Sequence, residues 1–145
     1  MKTKQLSLFL ENLPGHLHNV CKALADANIN ILTLSMADTQ QFGILRLIVK
    51  DADKAKAVLE DAGCVVDLTE VVATEVADHP GGLADILEVI RKAELNVEYM
   101  YAFTFRRGDK AILVFRFNNP DAAVAALEAA GVAVIDDVEI YGRAE

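Results

Sequence analysis

The sequence predicts an α+β protein built from two β-α-β-β-α-β units, and three observations carry that prediction. A Pro-Gly step occurs twice: Asn12-Leu13-Pro14-Gly15-His16-Leu17 returns as Asp78-His79-Pro80-Gly81-Gly82-Leu83, a shift of 66 positions (80 − 14). The shift holds through Asn28-Ile29-Asn30-Ile31 against Glu94-Leu95-Asn96-Val97. It then widens to 68 where Leu59-Glu60-Asp61-Ala62-Gly63 meets Leu127-Glu128-Ala129-Ala130-Gly131 (131 − 63). A constant shift with one small step is how a duplicated unit looks after one loop has changed length. Thirdly, apolar residues switch between a spacing of two and a helical spacing in the same order in both copies.

In the first copy, Leu6, Leu8 and Leu10 alternate with Gln5, Ser7 and Phe9, as in a half-buried strand. Leu17, Val20, Cys21, Leu24 and Ala25 then make one stripe of an amphipathic helix, with Pro14 placed near its first turn. Residues 29–36 and 43–50 read as a hairpin around the polar Asp38-Thr39-Gln40-Gln41. Ala55, Val58, Leu59 and Ala62 form a second helical stripe, ended by Gly63 in the left-handed position that glycine favours. A last strand falls around residues 65–72.

The second copy repeats the series. A strand at 71–77 is followed by a helix carrying Leu83, Ile86, Leu87 and Ile90. Strands at 97–105 and 111–117, a helix at about 121–130, Gly131 and a strand around 134–140 complete it. Each unit is thus a split βαβ, or ferredoxin-like, topology with an antiparallel sheet and both helices on one face. The expected domains are 1–69 and 70–145, set side by side because the last strand of one runs almost directly into the first strand of the next.

Shared faces follow from the alternation. Val97, Tyr99, Tyr101, Phe103 and Phe105 would lie under the helices of the second copy. By the same shift, Ile31, Thr33 and Ser35 would do so in the first, leaving Leu32, Leu34, Met36, Ile44 and Ile48 on the outer side. So apolar an outer face predicts cover by another chain, hence a homodimer or higher oligomer.

Composition narrows the function classes. Hydrophobic residues make up 53% of 145, enough for two small cores and an interface, yet no run approaches the ~20 apolar residues of a membrane span. A cytoplasmic protein without membrane attachment is expected. The net charge of −8 is lopsided: residues 1–69 carry seven Lys/Arg against eight Asp/Glu, and residues 70–145 carry seven against fourteen. Such a chain repels phosphate backbones, so direct nucleic-acid binding is disfavoured. The basic run Arg106-Arg107-Gly108-Asp109-Lys110 reads as a hairpin tip, and Cys21 and Cys64 read as small buried thiols.

Catalytic and metal chemistry find little to work with. His16, His18 and His79 lack metal-ligand spacing, and neither a Gly-rich phosphate loop nor a nucleophile elbow occurs. No cofactor, metal or catalytic residue is expected. The Pro-Gly turns differ, because a turn that delivers a strand into a helix leaves backbone N–H groups at the positive end of the helix dipole. Gly15 and Gly81 lack a β-carbon and allow close approach to that backbone, which suits a carboxylate. Asn12 offers a donor and an acceptor nearby, Asp78 only acceptors, and Asn30 and Asn96 open the second strands. Together they could receive a zwitterionic amino acid. Equally, Asn12 and Asp78 could cap their helices and Asn30 and Asn96 end theirs.

At these residues the chain resembles the ACT domain family of small regulatory ligand-binding modules, in two tandem copies covering nearly its whole length. The resemblance rests on Asn12-x-Pro14-Gly15 leading to Asn30-Ile31, and on Asp78-x-Pro80-Gly81 leading to Asn96-Val97. It implies a non-catalytic regulatory protein binding an amino acid or related metabolite at an interface between such domains. Asn12, Leu13, Pro14, Gly15, His16 and Leu17 would then face Asn96, and Asp78, His79, Pro80, Gly81, Gly82 and Leu83 would face Asn30. Asp78 replaces the family's Asn, so the two sites should differ. With no catalytic domain in the sequence, the regulated enzyme or regulator would be a separate chain. The alternative is a structural or regulatory subunit of such an enzyme, with no ligand of its own.

Overall fold

A computed structural model describes residues 2–11, 13–38, 42–103 and 109–136. Asn12, the hairpin tip at 39–41, residues 104–108 with Phe105 and most of the basic run, and the end of the last expected strand lie outside these. The elements run β1 (Thr3–Glu11), α1 (His16–Asp26), β2 (Ile31–Asp38), β3 (Phe42–Val49), α2 (Ala52–Asp61) and β4 (Val66–Ala77). They continue with α3 (Gly82–Lys92), β5 (Val97–Ala102), β6 (Lys110–Phe117), α4 (Pro120–Ala129) and β7 (Val134–Ile135). The chain divides into two compact units, Lys4–Thr69 and Met1–Thr3 with Glu70–Glu145. β4 is one uninterrupted strand of 12 residues that ends the first series of elements and begins the second.

In the first unit β3 lies between β1 and β2, antiparallel to both, with Leu6 opposite Leu47, Leu8 opposite Leu45 and Leu34 opposite Leu47. Leu6, Leu8, Leu10, Leu45, Leu47 and Val49 present one face to Val20 and Leu24 of α1 and to Ala55 and Leu59 of α2. Both helices therefore cover the same side of the sheet. The second unit repeats this with β5, β6, β4 and β7, and Phe115, Phe117 and Val72 pack against Ile86, Ile90, Ala123 and Leu127. The Phe115 and Phe117 rings stack at 5.5 Å between centroids.

All four helices end in the same way. The N–H of Ile29, Cys64, Leu95 and Val132 reaches back to the carbonyl of Leu24, Leu59, Ile90 and Leu127, so each last turn is closed by a Schellman motif. The left-handed residue in each is Asn28, Gly63, Glu94 or Gly131.

The structure corrects the expected faces of β2 and β5. Ile31 pairs with Val49, but Thr33 pairs with Ile48, so β2 carries one extra residue there; Val97 and Tyr99 against Phe117 and Arg116 repeat the bulge in β5. An inserted residue reverses every later side chain. Ile31 and Val97 do face the helices, but beyond the bulge it is Leu34 and Met36, and Met100, that share the face of Leu47, Leu45 and Phe115. Thr33, Ser35, Tyr99 and Tyr101 point the other way. Ile44 and Ile48 remain on the outer face, without Leu34 and Met36 beside them. The apolar outer row that called for a covering chain therefore does not exist in that form. Cys21 and Cys64 are also half-buried rather than buried.

Candidate functional site

Each Pro-Gly step forms a type II turn ahead of its helix. Pro14 occupies the second position and Gly15 the third, at φ 88° and ψ −15°, and the His16 N–H closes the turn on the Leu13 carbonyl at 3.3 Å. Pro80 and Gly81 repeat this at φ 91° and ψ −11°, with Gly82 N–H to the His79 carbonyl at 3.0 Å. The prolines thus precede the helices instead of sitting in their first turns. Their fixed φ suits the second position of the turn, and the positive φ at the third is what demands glycine.

The helix starts fall into two kinds. α2 and α4 begin on Asp51 and Asn119, whose side chains accept from Lys54 N–H at 3.1 Å and Ala122 N–H at 3.2 Å. α1 and α3 begin on Gly15 and Gly81 with no side-chain cap. Asp78 is therefore not the cap of α3, which removes one of its two expected roles.

The other predicted residues are spread out. Leu13 is 54% exposed, and Leu17 and Leu83 each 38%. Asn30 and Asn96 are exposed, and within each unit an 11-residue helix runs between the turn and the Asn. Turn and Asn of one unit thus lie at opposite ends of that helix, about 16 Å apart at 1.5 Å per residue, so they cannot share one small ligand. Asn96 is held through its backbone: its N–H donates to Asn118 Oδ1 at 3.0 Å and its carbonyl accepts from Asn118 N–H at 3.3 Å. The His79 ring lies against the Pro80 carbonyl, with Nδ1 at 2.9 Å, and Gly82 is buried.

One cleft opens beside the first turn. It has a volume of about 460 Å³ and gathers Phe9, Leu10 and Glu11 from the end of β1, His16, Asn19 and Val20 from α1, and residues 62–65 from the loop after α2. Of the predicted residues only His16 lines it. Glu11, Asn19, Cys64 and Val65 were missed by reading the sequence. A usable signal existed, since their counterparts in the second copy are Ala77, Asp85, Val132 and Ala133. Burial raises the pKa of the Cys64 thiol and keeps it protonated. Among the described residues no group of three His, Cys, Asp or Glu could hold a metal ion, and no helix is long and apolar enough to cross a membrane.

Comparison with known proteins follows the same lines. A family model described as an ACT domain pair matches residues 1–141. The crystal structure of protein BT0572 from Bacteroides thetaiotaomicron superposes with a TM-score of 0.90 at 38% identity, over 97% of this chain and 96% of that one. The regulatory subunit of aspartate kinase from Thermus thermophilus, in its ligand-free form, gives 0.64 at 19% identity over 88% and 91%. The corresponding subunit from Thermus flavus gives 0.62 at 20% over 90% and 93%. The two Thermus likenesses are likenesses of fold. No curated protein matches the sequence.

Proposed function

The chain belongs to the ACT domain pair family, and from that premise we propose that it is a non-catalytic regulatory protein that binds an amino acid or similar small metabolite at an interface of ACT domains, through its Pro-Gly turns. The observation that carries this reading is the contrast between helix starts. α2 and α4 satisfy their first amides with their own Asp51 and Asn119, whereas α1 and α3, both behind Pro-Gly turns, have no side-chain cap. A ligand carboxylate can supply the missing acceptor and is favoured there by the helix dipole. Binding would favour one arrangement of the protein over another, and a separate enzyme or regulator would read the difference.

A thermal-shift screen of the twenty amino acids on the whole protein tests this. A ligand at 100 times its dissociation constant adds about 2.7 kcal/mol of stability, several degrees for domains of this size. A shift with at least one amino acid is expected. No shift with any of them would favour the second reading, a subunit of a separate enzyme with no ligand of its own. The use of this fold by aspartate kinase regulatory subunits keeps that reading in view.

A further inference from the structure

We propose that the cleft at the end of β1 binds one α-amino acid with an uncharged, apolar side chain, held as a zwitterion by Glu11, His16 and Asn19. The inference rests on the regulatory reading above and narrows it to one place and one ligand class. At about 460 Å³ the cleft falls within the usual range for small-molecule sites, roughly 300–1,000 Å³. Its polar groups come from two neighbouring elements and are of complementary kinds.

An ionised Glu11 carboxylate can only accept hydrogen bonds, which matches the three donors of an ammonium group. Asn19 brings an amide NH₂ and His16 a ring N–H, and both belong to the uncapped first turn of α1, where the helix dipole favours negative charge. These groups would meet the ligand carboxylate. Phe9, Leu10, Val20, Cys64 and Val65 supply the remaining wall and are apolar or nearly so.

The same lining excludes other ligand classes. It contains neither Lys nor Arg, so a phosphorylated or dicarboxylic ligand would set a second negative charge near Glu11 without a counter-ion. It contains a single carboxylate, so a basic side chain would find none left after the α-ammonium had taken Glu11. An apolar side chain asks only for the wall that is present.

The second unit cannot offer the same chemistry. At the positions of Glu11, His16 and Asn19 it carries Ala77, Gly82 and Asp85. Where Phe9 and Val65 border the cleft, their counterparts Glu75 and Ala133 are joined by a backbone hydrogen bond, N–H to carbonyl at 3.2 Å. Each chain should therefore hold one ligand in this way.

Isothermal titration of the whole protein with each amino acid tests the proposal, with the unliganded melting temperature of every variant reporting its folding. The expected result is one site per chain for leucine, isoleucine, valine or methionine, and no binding of aspartate, glutamate, lysine or arginine. Glu11→Gln and Asn19→Leu should weaken binding tenfold or more. Val65→Trp should block the cleft mouth, and because Val65 is 70% exposed the larger side chain can be carried without repacking a core. If Glu11→Gln unfolds the protein, Val65→Trp alone carries the test. An amino acid that binds with unchanged affinity to Glu11→Gln and Val65→Trp would overturn the cleft while leaving the regulatory reading intact. Selective binding of a charged amino acid, or two equivalent sites per chain, would also overturn it. Absence of binding by every amino acid would remove the regulatory reading itself.

Discussion

A β-carbon placed on Gly82 would run into the carbonyl oxygen of Ala77, the last residue of β4. The second Pro-Gly turn is folded that tightly against its own strand. In the first copy the same position is His16, whose side chain borders an open cleft. One substitution thus separates a turn closed on backbone from a turn that can admit a ligand. Gly82→Ala is expected to destabilise the protein by about 1–3 kcal/mol, as overpacking against unyielding backbone does. Urea unfolding should show a lower midpoint at an unchanged slope.

Glu94 holds a left-handed conformation, φ 56°, at the position that closes α3, where the first copy has Asn28 at φ 58°. Asparagine tolerates this region better than glutamate because its short side chain can bond locally to the backbone. Glu94 is exposed and makes its closing bond, N–H to the Arg91 carbonyl at 3.0 Å, with backbone alone. Glu94→Asn should therefore stabilise by about 0.5–1 kcal/mol, seen as a higher melting temperature.

Leu34 and Leu47 face each other across β2 and β3 on the helix side of the sheet, yet Leu47 is fully buried and Leu34 is 45% exposed. The difference arises because β3 runs beneath the helices while β2 lies at the margin of the sheet. Leu47→Ala should cost about 2–5 kcal/mol and Leu34→Ala about 1 kcal/mol or less. Equal losses measured by denaturant titration would contradict the placement.

The Cys64 thiol has its pKa raised by burial, so folding favours its protonated form. This contribution to stability is fully present below the unfolded-state pKa and is lost as pH rises through the folded-state value. Alkylation by iodoacetamide in a Cys21→Ser background should therefore reach its half-maximal rate at higher pH in the folded protein than in urea. A bound ligand in the cleft should slow the reaction further, because Cys64 is part of the wall.

Much of this architecture can be read directly from the chain. Leu6, Leu8 and Leu10 alternate and are buried; Val20 and Leu24, and Ile86 and Ile90, fall at helical spacing and form the helix sides of the two cores. Gly63 and Gly131 end their helices at positive φ as expected. The site is less legible. His16 was singled out because it follows Pro14-Gly15, but Glu11 and Val65 lie 54 positions apart (65 − 11) and meet only where a strand end and a loop close on one cleft. Nothing in local spacing joins them.

What the sequence by itself determined is the kind and order of elements, twice over, and the two turns at which function is most plausible. Those properties depend on neighbours along the chain: apolar period, the proline ring and glycine's access to positive φ. Only the tertiary structure decided which faces of β2 and β5 look inward, because alternation predicts a face only while no residue is inserted, and the bulges at residues 31–33 and 97–99 are set by pairing with β3 and β6. It also decided that the two turns differ. The repeated motif gives both the same backbone, but the strand end behind each one, Glu11 beside a cleft or Ala77 pressed on Gly82, determines whether that backbone is accessible.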